Sequence, residues 1–142
     1  MQRFCAYQDR CHEEVRRKLI NLGVYGDRLE EIMSELITDN FLNEERFARS
    51  FARGKFRIKQ WGRLRIRREL QGRNISDYCI RKAMEEVSEH EYIEVAKQLV
   101  IKKLEGENGQ DPFQRRAKVA AAVIRKGYES ELVWNLIKEQ EI

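Results

Sequence analysis

Apolar residues in this chain recur every three or four positions almost from end to end. β-branched residues never alternate with polar ones over a strand's length, and proline occurs once, at Pro112. A period near 3.6 gives a helix one apolar stripe and gives a strand no inner face. The fold class is therefore all-α. Start and stop signals divide the chain into about nine helices.

The first covers 2–9. The second opens near Cys11, carries Glu13 and Glu14 where the helix dipole favours acids, and points Val15, Leu19 and Leu22 inward before Gly23 ends it. Asp27 is the expected N-cap of a helix over 27–38, with Leu29, Ile32, Met33, Leu36 and Ile37 on one face. Asn43 caps the next, which runs to about Ile58 with Phe47, Ala48, Phe51 and Ala52 inward. Trp61-Gly62 breaks the chain, and 63–72 form a short helix whose inward pair is Ile66 and Leu70. Ser76 opens another, 89–105 follow, and 106–109 make a turn. Asp111-Pro112 reads as an N-cap with proline at the first helical position, and that helix ends at Gly127. The last helix covers about 129–140.

Laid over one another, these helices repeat. RRKLINLGV (16–24) matches RRELQGRNI (67–75) at an offset of 51, and AVIRKGY (122–128) repeats the ending. Gly23, Asn74 and Gly127 share the turn position, and glycine and asparagine are the residues that most readily take a left-handed helix end. Nine positions beyond each come Ile32, Ala83 and Leu136; ten beyond come Met33, Met84 and Ile137. A three-helix unit buries what a single short helix cannot, and neighbouring units share flanks. The expectation is one domain over 1–142, an elongated, curved array of tandem three-helix repeats at 10–59, 62–106 and 111–142, the last truncated.

Charged residues make up 37% and apolar ones 42%, too apolar for disorder and too charged for a membrane protein. No apolar run approaches the roughly 20 residues of a spanning helix, and the N-terminus lacks a secretory core. A cytoplasmic monomer is expected. Cys5, Cys11 and Cys79 form no C-x-x-C pair, and Cys5, Cys11 and His12 lack a second ligand pair at zinc spacing. Free thiols and no metal are expected. There is no phosphate-binding glycine loop and no nucleophile–base set, so no enzyme and no cofactor are expected.

Charge is concentrated in one place. Residues 49–73 hold ten Lys or Arg and one acid, Glu69, while the remainder holds 18 bases and 23 acids. A mildly acidic body with one basic segment points to an acidic partner for that segment. Arg49, Arg53 and Arg57 fall four apart on one helix, flanked by Lys55 and Lys59; Arg63 and Arg67 fall four apart on the next, with Arg65 and Arg68 beside them. Nothing in the local sequence offsets their repulsion, so they are the candidate contacts for phosphates or carboxylates. Trp61 is read as a core plug in preference to a base-stacking platform, with Gly62 allowing a tight turn beside it. Arg46, at a helix start, is expected to pair with Glu44, Glu45 or an acid of a neighbouring helix.

NEERFARSFARGKFRIKQWGRLRIRREL (43–70) resembles the signature of the RecX family, regulators of the bacterial RecA recombinase. The residues that carry it are Glu44-Glu45, Arg46-Phe47-Ala48, Phe51, Gly62, Arg65-Ile66 and Glu69-Leu70. RCHEEVRRKLINLGV (10–24) and KVAAAVIRKGYESELVWNLI (118–137) are similar to the family's first helix and final helix pair. Asn74 stands where the family has glycine, a turn that asparagine tolerates. The resemblance implies tandem three-helix repeats. It also implies an inhibitor that binds the RecA filament on single-stranded DNA, limits filament extension, ATP hydrolysis and strand exchange, and catalyses nothing. The alternative is a stand-alone, non-specific nucleic-acid-binding helical protein.

Overall fold

The structure, a computed structural model, describes residues 1–107 and 111–140. Among them are α1 (Gln2–Tyr7), α2 (His12–Asn21), α3 (Gly26–Thr38), α4 (Glu44–Arg57), α5 (Arg63–Gly72), α6 (Asp77–Met84), α7 (Glu89–Gly106), α8 (Pro112–Arg125) and α9 (Ser130–Gln140), and no strand. The turn expected over 106–109 lies partly outside the described residues.

Local capping explains most boundaries. Asn43 Oδ1 accepts from the Arg46 backbone N–H at 2.9 Å ahead of α4. Ser76 and Asp111 accept from the N–H groups of Cys79 and Gln114 at 3.2 and 3.3 Å. Cys11 is the N-cap of α2, its thiol donating to Glu14 Oε1 at 3.2 Å. Asp27 does not cap α3 as the sequence suggests. Tyr25 holds that position, and Asp27 sits in the first turn, where its charge still meets the dipole.

The three turn residues share one conformation: φ is 85° at Gly23, 59° at Asn74 and 110° at Gly127. At the first two the closing bonds match one for one. Gly23 and Val24 donate to Ile20 and Leu19 at 2.9 Å each, and Asn74 and Ile75 donate to Gln71 and Leu70 at 3.0 and 3.2 Å. This is the Schellman pattern, in which the residue after the left-handed one bonds back five positions.

The chain gathers into two compact units that interleave in sequence, Met1–Ala52 with Glu69–Glu85, and Arg53–Arg68 with Glu86–Ile142. In the first, Cys5, Val15, Leu19, Leu29, Met33, Leu36 and Leu42 form one buried cluster, with Phe4, Val24, Ile32 and Phe41 packed against it. Leu22 and Ile37, expected inside, are 60% and 46% exposed; Leu22 is the C-cap of α2 and Ile37 lies one residue before the end of α3. In the second unit Tyr92 lies fully buried, its ring stacked on Tyr128 at 5.0 Å and tilted against Phe56 at 6.0 Å. Ala96, Val100, Val119, Val123, Val133 and Ile137 are likewise buried.

Candidate interface for an anionic partner

The second unit takes up the last turn of α4, the connection after it and most of α5. Gln60 turns the chain with φ at 57°, and the Trp61 N–H reaches back to the Lys55 carbonyl at 3.1 Å. The α5 start is then pinned from outside its own helix. Gly62 N–H donates to the Lys126 carbonyl at 2.8 Å and Leu64 N–H to that of Gly127 at 3.0 Å. A Cβ on Gly62 would lie 2.2 Å from the Gly127 carbonyl carbon, and one on Gly127 would lie 2.5 Å from Arg65 Cβ. Gly62 therefore serves a backbone-to-backbone approach more than the turn beside Trp61. Ile66, fully buried, anchors the inner face of α5 within this unit, and Leu70, also fully buried, anchors it in the first.

The cations divide into two kinds. Three are engaged by carboxylates, remote ones in each case and for Arg49 also the local Glu45, four positions before it, which corrects the expectation that nothing in the local sequence offsets the charge there. Within the first unit, Arg49 Nε donates to Glu45 at 3.0 Å and Nη2 to Glu85 at 3.1 Å, and these bonds, Glu45's above all, raise its pKa further. Within the second, Arg53 Nη2 meets Glu86 at 3.3 Å. Arg63 is the most enclosed: Nε donates to Glu129 at 3.0 Å, Nη1 to Glu89 at 2.6 Å, and its guanidinium carbon lies 4.0 Å above the Tyr92 ring centre. The Tyr92 hydroxyl donates to Glu129 at 2.5 Å and accepts from the Arg63 backbone N–H at 3.0 Å. Burial first, and then the bond to Glu129, push the Tyr92 phenol well above its ordinary pKa, so it stays a proton donor. Arg63 is thus a staple between α5, α7 and the start of α9. Glu69 itself turns to Arg73, at 3.1 Å.

The other cations are turned outward. Arg57, Lys59, Arg67 and Arg68 are exposed and make no ion pair among the described residues. Arg65 stacks its guanidinium carbon 4.1 Å from the Trp61 ring centre, and Lys55 Nζ lies 4.9 Å from it. Trp61 is half-buried, so the expected plug is instead a ring flanked by cations. Ile58 stands 80% exposed between Arg57 and Lys59. Arg46 is structural, as its position at a helix start suggests, but its carboxylate is Asp9, at 2.7 Å, and its other donors reach the carbonyls of Asn40 and Phe41. Phe47, next to it, is buried.

Sequence reading misses Glu85, Glu86, Glu89 and Glu129, because each lies 26 or more residues from its arginine. Their one local signal is position. Glu89 sits in the first turn of α7 and Glu129 immediately precedes α9, where acids are favoured by the dipole whether or not they hold a cation.

Two family models match the chain: the second three-helix domain of RecX over residues 43–84 and the third over 90–137. The protein named regulatory protein RecX from Bacillus mycoides (strain KBAB4) is 26% identical over 136 residues, and its counterpart from Bacillus anthracis (strain A0248) is 25% identical over the same length. Each match covers 96% of this chain, which spans about half the length of these curated relatives. The crystal structure of RecX from Lactobacillus salivarius superposes with a TM-score of 0.87 at 22% identity, covering 98% of this chain and 90% of that one. A second, titled regulatory protein RecX, gives 0.86 at 24% identity over 96% and 66% of the two chains. At such identities the structures establish the fold, and the domain models, which together take in well over half of the sequence, establish the kinship: the chain belongs to the RecX family.

Proposed function

We propose that this chain is a non-catalytic inhibitor that docks on the RecA recombinase filament assembled on single-stranded DNA. There it limits filament extension, ATP hydrolysis and strand exchange, and it does so in the cytoplasm. The observation that carries this reading is the set of outward cations Arg57, Lys59, Arg67 and Arg68, held at the end of α4, in the connection after it and on α5, where Arg53 and Arg63 are already paired with carboxylates. A DNA-bearing filament offers phosphates and protein carboxylates together, and guanidinium groups bind both through paired hydrogen bonds. The exposed Ile58 between two of the cations suits the protein part of such a surface. Among the described residues no helix is long and apolar enough to cross a membrane.

An ATPase time course for RecA on single-stranded DNA, with this protein titrated in, tests the proposal. Inhibition at protein far below strand saturation is expected. Inhibition only when the protein covers all of the strand would instead mark a stand-alone nucleic-acid binder. The informative variant is R57E/R67E. Both residues lack an internal partner, so reversal leaves the helical CD spectrum unchanged and abolishes inhibition. Arg53 and Arg63 are poor choices, because reversing them strands Glu86, Glu89 and Glu129 beside a new carboxylate. A folded R57E/R67E protein that still inhibits refutes the assignment.

A further inference from the structure

The second unit carries all of the molecule's positive excess, with 17 Lys and Arg against 11 Asp and Glu, whereas the first holds 11 against 13. Thirteen of those 17 cations fall in two acid-free stretches, eight in 53–68 and five in 112–128. The fold brings the two stretches together. Gly62 and Leu64 of the first bond to the carbonyls of Lys126 and Gly127 in the second, through a glycine pair that leaves no room for a side chain. Arg125 and Lys126 make no ion pair among the described residues, and the turn they precede abuts Arg65, the residue stacked on Trp61. Like-charged segments pressed backbone to backbone repel in the free protein, and a linear polyanion relieves that repulsion.

We infer that Arg125 and Lys126 extend the 53–68 surface into one track for the phosphate backbone of a single nucleic-acid strand. A strand fits better than an acidic protein. The cations are spread over three elements, the end of α4, α5 and the end of α8, with a half-buried indole among them, which is the pattern of a backbone-tracking surface with an aromatic side chain. The inference rests on reading 53–68 as the docking segment and adds to it a second stretch that its local sequence does not announce.

The test uses the full chain and a fluorescein-labelled oligo(dT), without recombinase, titrated by anisotropy from 25 to 200 mM NaCl, about the range over which phosphate contacts separate by salt slope. For a single strand each contact contributes about 0.7 to the slope, so R125E/K126E is expected to lower it by about 1.4 and to weaken binding at every salt concentration. R125Q/K126Q serves if the reversal disturbs folding, and CD checks both. An unchanged slope in a folded variant while R67E/R68E lowers it overturns the inference and leaves the docking segment standing. Wild-type protein that fails to bind oligo(dT) at 25 mM NaCl, about the lowest salt of the series, overturns it too. So does intact oligo(dT) binding by R125E/K126E with loss of ATPase inhibition, which would assign these cations to protein carboxylates.

Discussion

Gly62 and Gly54 stand eight positions apart in the same basic stretch and have opposite physical standing. A methyl group on Gly62 meets three backbone atoms of Gly127 and Tyr128 between 2.2 and 2.4 Å away, and backbone cannot swing aside as a long side chain can. G62A must therefore separate α5 from the turn after α8, losing the Gly62–Lys126 hydrogen bond with it. Overpacking of this kind costs about 1–3 kcal/mol, and the lost bond adds about 1. A Cβ on Gly54 meets nothing within 4 Å, and the residue lies inside α4. G54A is expected to stabilise by about 0.5–1 kcal/mol, through the backbone entropy that glycine loses on entering a helix. Urea unfolding of the two variants beside wild type checks both signs at once. A neutral G62A would mean that the two backbones do not touch.

At the level of the helix, what closes α5 is Asn74 at φ 59°, whose N–H bonds back to Gln71 while that of Ile75 bonds back to Leu70. A β-carbon without a polar head disfavours this region by about 1–2 kcal/mol. N74A is thus expected to lower stability by about 1 kcal/mol. N74G should fall within about 0.5 of wild type, since relief at the backbone offsets loss of the side-chain bond to Glu13, 3.3 Å long. Thermal or urea midpoints decide it, and equal losses in both variants would place the effect in the Glu13 contact. Caps like this one were legible because the chemistry is local: a left-handed residue, the apolar residue after it and the leucine before it lie within six positions. The N-caps Asn43, Ser76 and Asp111 were legible for the same reason. Glu45, four positions before Arg49, was within reach of the i,i+4 rule, but the remote partners of Arg49, Arg53 and Arg63 were not legible, since a carboxylate 26 to 66 residues away leaves no trace in the spacing of the arginines. Nor was Gly127 as the neighbour of Gly62; each glycine announces a turn, and only the fold shows that one turn lies on the other.

For the whole molecule, the net charge of +4 conceals a first unit with two more acids than bases and a second with six more bases than acids. Salt acts on this distribution in two opposed ways. It weakens ion pairs, but the Arg63 side chain is three-quarters covered, and its pair with Glu129, itself one-third exposed, is screened less than a fully exposed pair. It also weakens repulsion among Arg57, Lys59, Arg67, Arg68, Arg125 and Lys126, most of which are exposed and lie within reach of mobile ions. The Debye length falls from about 10 Å at 0.1 M to about 3 Å at 1 M, so the exposed repulsion fades first. The melting temperature is therefore expected to rise by a few degrees between 50 and 500 mM NaCl, about 1 kcal/mol for a chain of this length. R125Q/K126Q, with two of the opposed charges removed, should begin higher and gain less. A melting temperature that falls with salt would mean that the internal ion pairs outweigh the crowding of cations, and that the basic surface is already neutralised before any partner arrives.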